Sequence, residues 1–268
     1  MTSTCCLLGT KEVSSTTTKI ALILEYDGTR YCGFQLQPGL PTIQGETEKA
    51  LRKLTGERSR VMAASRTDAG VHAKGQAISF RTSSSLPVPT FIKGLNYYLP
   101  KDIAVKAAHR ASDSFNVRRD ALSREYNYYI LNSRTRSPIR RGFAYPVAGP
   151  LDIEIMNQAC RSLIGEHDFA SFITGITAGI KSTVRTVYRA ETEKNGELAV
   201  FNIVANSFLP HQVRNTVGAL IKVGLGRMSV DEFRSIVEAK KPGLAGPTAP
   251  ACGLCLMKIN YPHPLGEI

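Results

Sequence analysis

An α/β or α+β fold built on mixed sheets is the architecture this sequence predicts, and three observations carry that expectation. Short β-rich runs and amphipathic helical stretches interleave from Lys19 to Tyr261. Two of the runs flank Asn195-Gly196, a dipeptide suited to a two-residue type I′ hairpin, so part of the sheet is antiparallel. The 268 residues, 43% of them hydrophobic, suffice for one large core or two small ones.

The elements follow in order. Residues 1–18 are Ser/Thr-rich, lack periodicity and read as a mobile tail. Lys19 to Tyr26 is β-rich and stops at Asp27-Gly28, a strand running into a turn. Thr42 to Gly56 reads as a helix: Thr42 suits the N-cap, Ala50, Leu51 and Leu54 share a face, and Gly56 supplies the stop. Arg60 to Ser65 and Gln76 to Arg81 are strand-like, with Asp68 in the loop between them. Pro89 to Leu99 is helical and Ile103 to Ala108 a strand. Arg124 to Leu131 is aromatic and β-rich, and Leu151 to Ile164 is an amphipathic helix. Val184 to Thr192 and Leu198 to Ala205 form the hairpin. Leu209 to Val223 and Val230 to Lys240 are helices, and Gly253 to Tyr261 is a closing strand. A boundary near residue 113 divides an N-terminal α/β domain (19–113), which carries the Asp68 loop, from a C-terminal α/β domain (114–268).

Composition narrows the function. Lys and Arg number 34 against 22 Asp and Glu, a net charge of +12. That surplus favours a polyanionic partner, since each phosphate contact by a cation releases counterions; it speaks to association rather than chemistry. No apolar run approaches the ~20 residues that span a bilayer. Cys5-Cys6-Leu7-Leu8 is followed by Lys11 and Glu12 rather than by a leader's apolar core and cleavage site. A soluble cytoplasmic protein is expected. Six cysteines without framework spacing fit reduced thiols. Cys252 and Cys255 have metal-ligand spacing with His263 as the sole neighbour, one ligand short of the usual four, so the expectation is two small apolar side chains and no metal. Phosphate-loop and dinucleotide fingerprints are absent from the sequence, and no cofactor is expected.

Four segments carry candidate chemistry. In Arg66-Thr67-Asp68-Ala69-Gly70-Val71-His72 a carboxylate sits two residues from an Arg, with Gly70 permitting a tight backbone. Asp68 there can be a nucleophile, a general base, a metal ligand or a turn residue capping backbone amides. His72 reads as a structural hydrogen-bonder. Arg118 to Arg141 holds seven Arg against Asp120 and Glu125, with Tyr126, Tyr128 and Tyr129 interleaved. Arg forks grip phosphates and aromatic faces stack on unpaired bases, although core tyrosines beside a solvated basic loop would leave the same pattern. Strand alternation places Arg124, Tyr126 and Tyr128 on one face. Arg214 follows the apolar lead-in Phe208 to Val213; burying it requires an anion such as Asp68, unless it reaches solvent.

Together these pieces resemble the TruA-type tRNA pseudouridine synthases. Glu25-Tyr26-Asp27-Gly28-Thr29-Arg30-Tyr31-Cys32-Gly33-Phe34-Gln35 is similar to the family's opening motif, Arg66 to Ala73 to its catalytic motif, Arg124-Glu125-Tyr126 to its substrate-tyrosine motif, and Phe208 to Asn215 with Gly218 to its second-domain helix. Gly165 to Phe169 and Ala249 to Leu254 also match, and the likeness runs in order over residues 19–261. Ser65 stands where Gly is usual, Phe34 for Trp and Gln212 for Met, and Pro210 also departs from the commonest pattern. Ser65 raises the question of a backbone angle that Ser tolerates poorly. The resemblance implies two related α/β halves whose mixed, largely antiparallel sheets join around a basic cleft, acting as a homodimer. It implies Asp68 as catalytic aspartate, Tyr126 packing on the target uracil, Arg214 orienting Asp68, and Arg66 holding or displacing the nucleotide, with Leu254 a candidate wall of the pocket. The implied substrate is uridine at positions 38 to 40 of the tRNA anticodon stem-loop. A non-catalytic tRNA-binding module and a metal-dependent nuclease are the rivals; the first leaves Asp68 unexplained and the second needs clustered carboxylates.

Overall fold

The computed structural model describes residues 17–174 and 180–265. Residues 1–16, most of the expected tail, lie outside the described residues.

The first half runs β1 (Thr18–Tyr26), α1 (Ile43–Thr55), β2 (Met62–Ala63), β3 (His72–Thr82), α2 (Val88–Tyr98) and β4 (Ile103–Ala111). The second runs β5 (Ser123–Asn132), β6 (Tyr145–Val147), α3 (Ile153–Arg161), β7 (Gly165–Asp168), β8 (Val184–Asn195), β9 (Leu198–Ala205), α4 (Gln212–Gly224), α5 (Val230–Ala239) and β10 (Leu254–Asn260). Single 3-10 turns at Phe169–Phe172 and Ala251–Gly253 precede the β7–β8 connection and β10.

The strands join into one mixed sheet in the order β4-β1-β3-β10-β5-β9-β8-β7, with β2 beside β3 and β6 beside β5. Pairing is antiparallel except at β3/β10 and β5/β6. β10 is the seam. It sets Cys255 against His72 of β3 and Leu256 against Tyr126 of β5, tying strands from the two halves into a single surface. Burial is one-sided along the second half: Tyr126, Tyr128, Ile130, Phe201 and Ile203 are buried, while Glu125, Asn127, Tyr129, Val200, Asn202 and Val204 on the other face are half-buried.

Local chemistry explains the helices. Thr42 accepts from Gly45 N–H at the start of α1, and Gly56 ends it at φ 78°. Asp152 caps α3, and Ser229 with Glu232 forms a capping box on α5.

Three expectations shift. α4 starts at Gln212 rather than Leu209, because Gln212 N–H donates back to the Leu209 carbonyl (3.2 Å) and closes a turn over Pro210-His211. The hairpin loop is Gly196-Glu197, one residue later than Asn195-Gly196, since Asn195 still pairs with Leu198. β3 begins at His72, four residues before Gln76, because β10 supplies it a partner there. β6 and β7 are too short to display a period in sequence.

Leu256 is fully buried at the seam. Leu256→Ala is expected to lower unfolding free energy by ~2–5 kcal/mol in urea titration.

Candidate active site

The Asp68 loop is held in place on every side. Phe34 N–H donates to the Thr67 carbonyl (3.0 Å), Gln76 Nε2 to the Ser65 carbonyl (2.6 Å), and the Thr67 hydroxyl shares a hydrogen bond with Tyr26 (2.7 Å). Val71 N–H closes the turn onto the Asp68 carbonyl (3.2 Å). Gly70 takes φ 77°, in the region that favours glycine. A β-carbon on Gly28 would collide with the Val71 carbonyl, which gives a packing reason for the glycine in the Asp27-Gly28-Thr29 run. Ser65 is not among the positive-φ residues, so its backbone does not require glycine.

Asp68 is half-buried, and its Oδ2 lies 3.3 Å from Nη1 of Arg214. Arg214 is fixed from behind by its Nε–H bond to the Ala249 carbonyl (2.8 Å). A carboxylate and a guanidinium 146 residues apart thus meet over one cavity of about 560 Å³. Arg66, Tyr126 and Leu254 line the same cavity. The structure therefore brings all five sequence-named residues together. Tyr126 is buried, shares a hydrogen bond with Ser65 Oγ (3.0 Å), and meets Phe208 edge-on at 5.3 Å. Burial pushes its phenol up to about 12, so the hydroxyl stays protonated through the neutral range. Leu254 pairs with Tyr128 at the start of β10.

Arg66 is exposed and also lines a second, larger cavity of about 1260 Å³. Lys19, Arg58, Arg60, Arg81, Arg118 and Arg119 line that groove, and among the described residues no Asp or Glu does. The Arg-rich segment divides: Arg118 and Arg119 face this groove, whereas Arg140 lines a separate cavity of about 520 Å³ beside His72 and Phe143.

Arg124 does not grip phosphate from the surface. It is buried, and its guanidinium donates to the backbone carbonyls of Ala64, Arg118, Ala121 and Asn206 at 2.7–3.2 Å. His72 is structural: Gly28 N–H donates to its Nδ1 (3.1 Å), leaving Nε2–H for the Gly142 carbonyl (2.8 Å). Cys252 and Cys255 are free thiols; burial pushes Cys255 up to about 11. Among the described residues no group of three or more His, Cys, Asp and Glu could hold a metal ion.

Two residues carried no role in the sequence. His211 places Nε2 3.6 Å from Asp68 Oδ2. Its backbone (φ 59°, ψ 0°) is left-handed, costing about 1–2 kcal/mol for a residue with a β-carbon. These angles suit the third residue of a type II turn, in which the preceding position favours proline, here Pro210. Gln212 is buried, its Oε1 accepts from Leu209 N–H (2.8 Å), and its Nε2 has no partner among the described residues. Proline before a histidine at a helix start was the available signal.

Comparison with known proteins gives the family. A family model described as tRNA pseudouridine synthase matches residues 22–120 and 159–262. "tRNA pseudouridine synthase A" of Pelobacter propionicus is 43% identical over 242 residues, covering 90% of this chain and 99% of its own. The protein of the same name from a Roseiflexus species is 46% identical over 248 residues, covering 91% of each. Among solved structures, an H/ACA ribonucleoprotein bound to a substrate RNA containing 2′-deoxyuridine aligns with 76% of this chain and 44% of its own at 14% identity and TM-score 0.35, too loose to carry an argument. The chain belongs to the tRNA pseudouridine synthase family and is an isomerase.

Replacing Arg124 with Leu strands four carbonyls. Arg124→Leu is expected to cost at least about 3 kcal/mol of stability, read by chemical denaturation.

Proposed function

We propose that this protein isomerises uridine to pseudouridine at positions 38, 39 and 40 of the tRNA anticodon stem-loop, with Asp68 as the catalytic carboxylate. The observation that carries the reading is Asp68 held by Arg214 over a cavity walled by Tyr126 and Leu254. The reaction breaks the N1–C1′ bond and forms C5–C1′ with the same base; the C5 proton leaves and N1 gains one. It consumes no redox equivalent and no activated donor.

Each part of the site has a task in that chemistry. The target base must leave its stack, which costs a few kcal/mol. The Tyr126 ring offsets ~1–3 kcal/mol of this by packing on the uracil. Arg66, at the junction of the two cavities, holds the displaced nucleotide. The ionised Asp68 attacks the sugar or the base, or takes a sugar proton. Arg214 orients it, and the detached base turns within walls that include Leu254. The groove lined by Arg58, Arg60, Arg118 and Arg119 tracks the tRNA backbone.

The half-buried sheet face with Tyr129, Val200 and Val204 supports the homodimer reading, a second copy being its occupant. No described helix is long and apolar enough to cross a membrane, and the proposed site of action is the cytoplasm.

Tritium release from C5-labelled uridine in unmodified tRNA tests the assignment. Wild type should release tritium with EDTA present, and Asp68→Ala should lose at least about 10³-fold. Release surviving in Asp68→Ala sinks the catalytic role; dependence on added metal favours a nuclease-like site, and binding without turnover a passive module. Tyr126→Phe should keep tRNA affinity while Tyr126→Ala weakens it. Arg58→Ala with Arg118→Ala should weaken binding and flatten the log–log salt dependence by about 0.7–0.9 for each phosphate no longer neutralised.

A further inference from the structure

The Asp68 carboxylate is contacted asymmetrically. Arg214 and His211 both approach Oδ2, at 3.3 and 3.6 Å, while Oδ1 has no side-chain partner among the described residues. The other ring nitrogen of His211, Nδ1, lies 3.4 Å from Thr174 Oγ1. The 3.6 Å approach to Asp68 is an electrostatic contact just beyond hydrogen-bond distance, while Nδ1 at the other end of the ring can accept from the Thr174 hydroxyl.

This placement is not the cheapest one for the chain. His211 occupies left-handed backbone, where the turn would accept glycine or asparagine without strain. It is also the residue that starts α4, yet its side chain makes no capping bond, whereas Thr42, Asp152 and Ser229 each cap theirs. The imidazole is turned toward Asp68 instead of the open amides of the helix. Backbone strain of this kind persists where surrounding structure over-determines it, and such residues cluster at functional sites. Here Pro210 on one side and the Gln212–Leu209 backbone and side-chain bonds on the other hold the turn.

We infer that His211 is a positioning residue for Asp68: together with Arg214 it pins Oδ2, fixing the carboxylate's rotamer so that Oδ1 is the oxygen presented to the flipped uridine. The inference rests on the reading of Asp68 as the catalytic carboxylate. His211 lines the same cavity, and the role inferred for it is exerted through the aspartate.

The test separates that role from a structural one. His211→Gly fits the left-handed backbone, so its melting temperature should equal or exceed that of wild type. Its kcat for tritium release should fall at least about tenfold, because a misplaced reacting group is costly even at small displacements, while KM for tRNA stays within about twofold. His211→Gln, whose amide nitrogen can reach the position of the imidazole Nε2, should recover part of the kcat. The inference is overturned if His211→Gly keeps kcat within twofold of wild type, if its loss appears in KM, as for a phosphate contact, or if it tracks a fall in melting temperature. Asp68→Ala is assayed alongside. Turnover surviving in that variant overturns the assignment of Asp68 and the inference with it; Asp68→Ala inactive with His211→Gly fully active overturns the inference alone.

Discussion

The guanidinium of Arg124, buried at the base of the cleft, donates to four carbonyls from three stretches of chain. Ala64 roots the Asp68 loop, Arg118 and Ala121 belong to the link between the halves, and Asn206 lies on the approach to α4. One side chain therefore registers the segment bearing Asp68 against the segment leading to Arg214. Burial pulls its pKa below the ordinary guanidinium value without a carboxylate to compensate, so the backbone oxygens bear the task of solvating the charge.

Above this base the cleft holds two adjoining cavities. The broad groove is lined by cations and meets solvent, where screened attraction suits many weak phosphate contacts. The smaller cavity has less than half that volume and holds Asp68 paired with Arg214 beside Tyr126, Phe208 and Leu254. Arg66 borders both. In the proposed reading, affinity and chemistry are served by adjacent surfaces that share Arg66.

Much of this was legible in the residues themselves. Thr42 and Gly56 marked α1 because capping is local chemistry. Arg214 called for an anion because a cation in an apolar lead-in is costly to bury, and that argument reached across 146 residues. Other features were hidden because they depend on partners far away in sequence. Strand alternation put Arg124 with Tyr126, but nothing local revealed that four carbonyls close over that end of the face. His211 gains its direction from a backbone angle set by Pro210 and Gln212. The start of β3 at His72 depends on β10, whose pairing no local pattern announces.

That seam also governs the order in which the molecule can be assembled. β10 follows every other described strand in sequence, yet its place is between β3 and β5. Until Leu254–Asn260 has left the ribosome, each half of the nascent chain carries an open, unpaired strand edge facing the other. Such edges invite pairing with the wrong chain. The same seven residues bring Leu254 to the cavity wall, so the pocket is completed by the closing of the sheet. Under the proposed assignment of this pocket, turnover would have to await that last pairing.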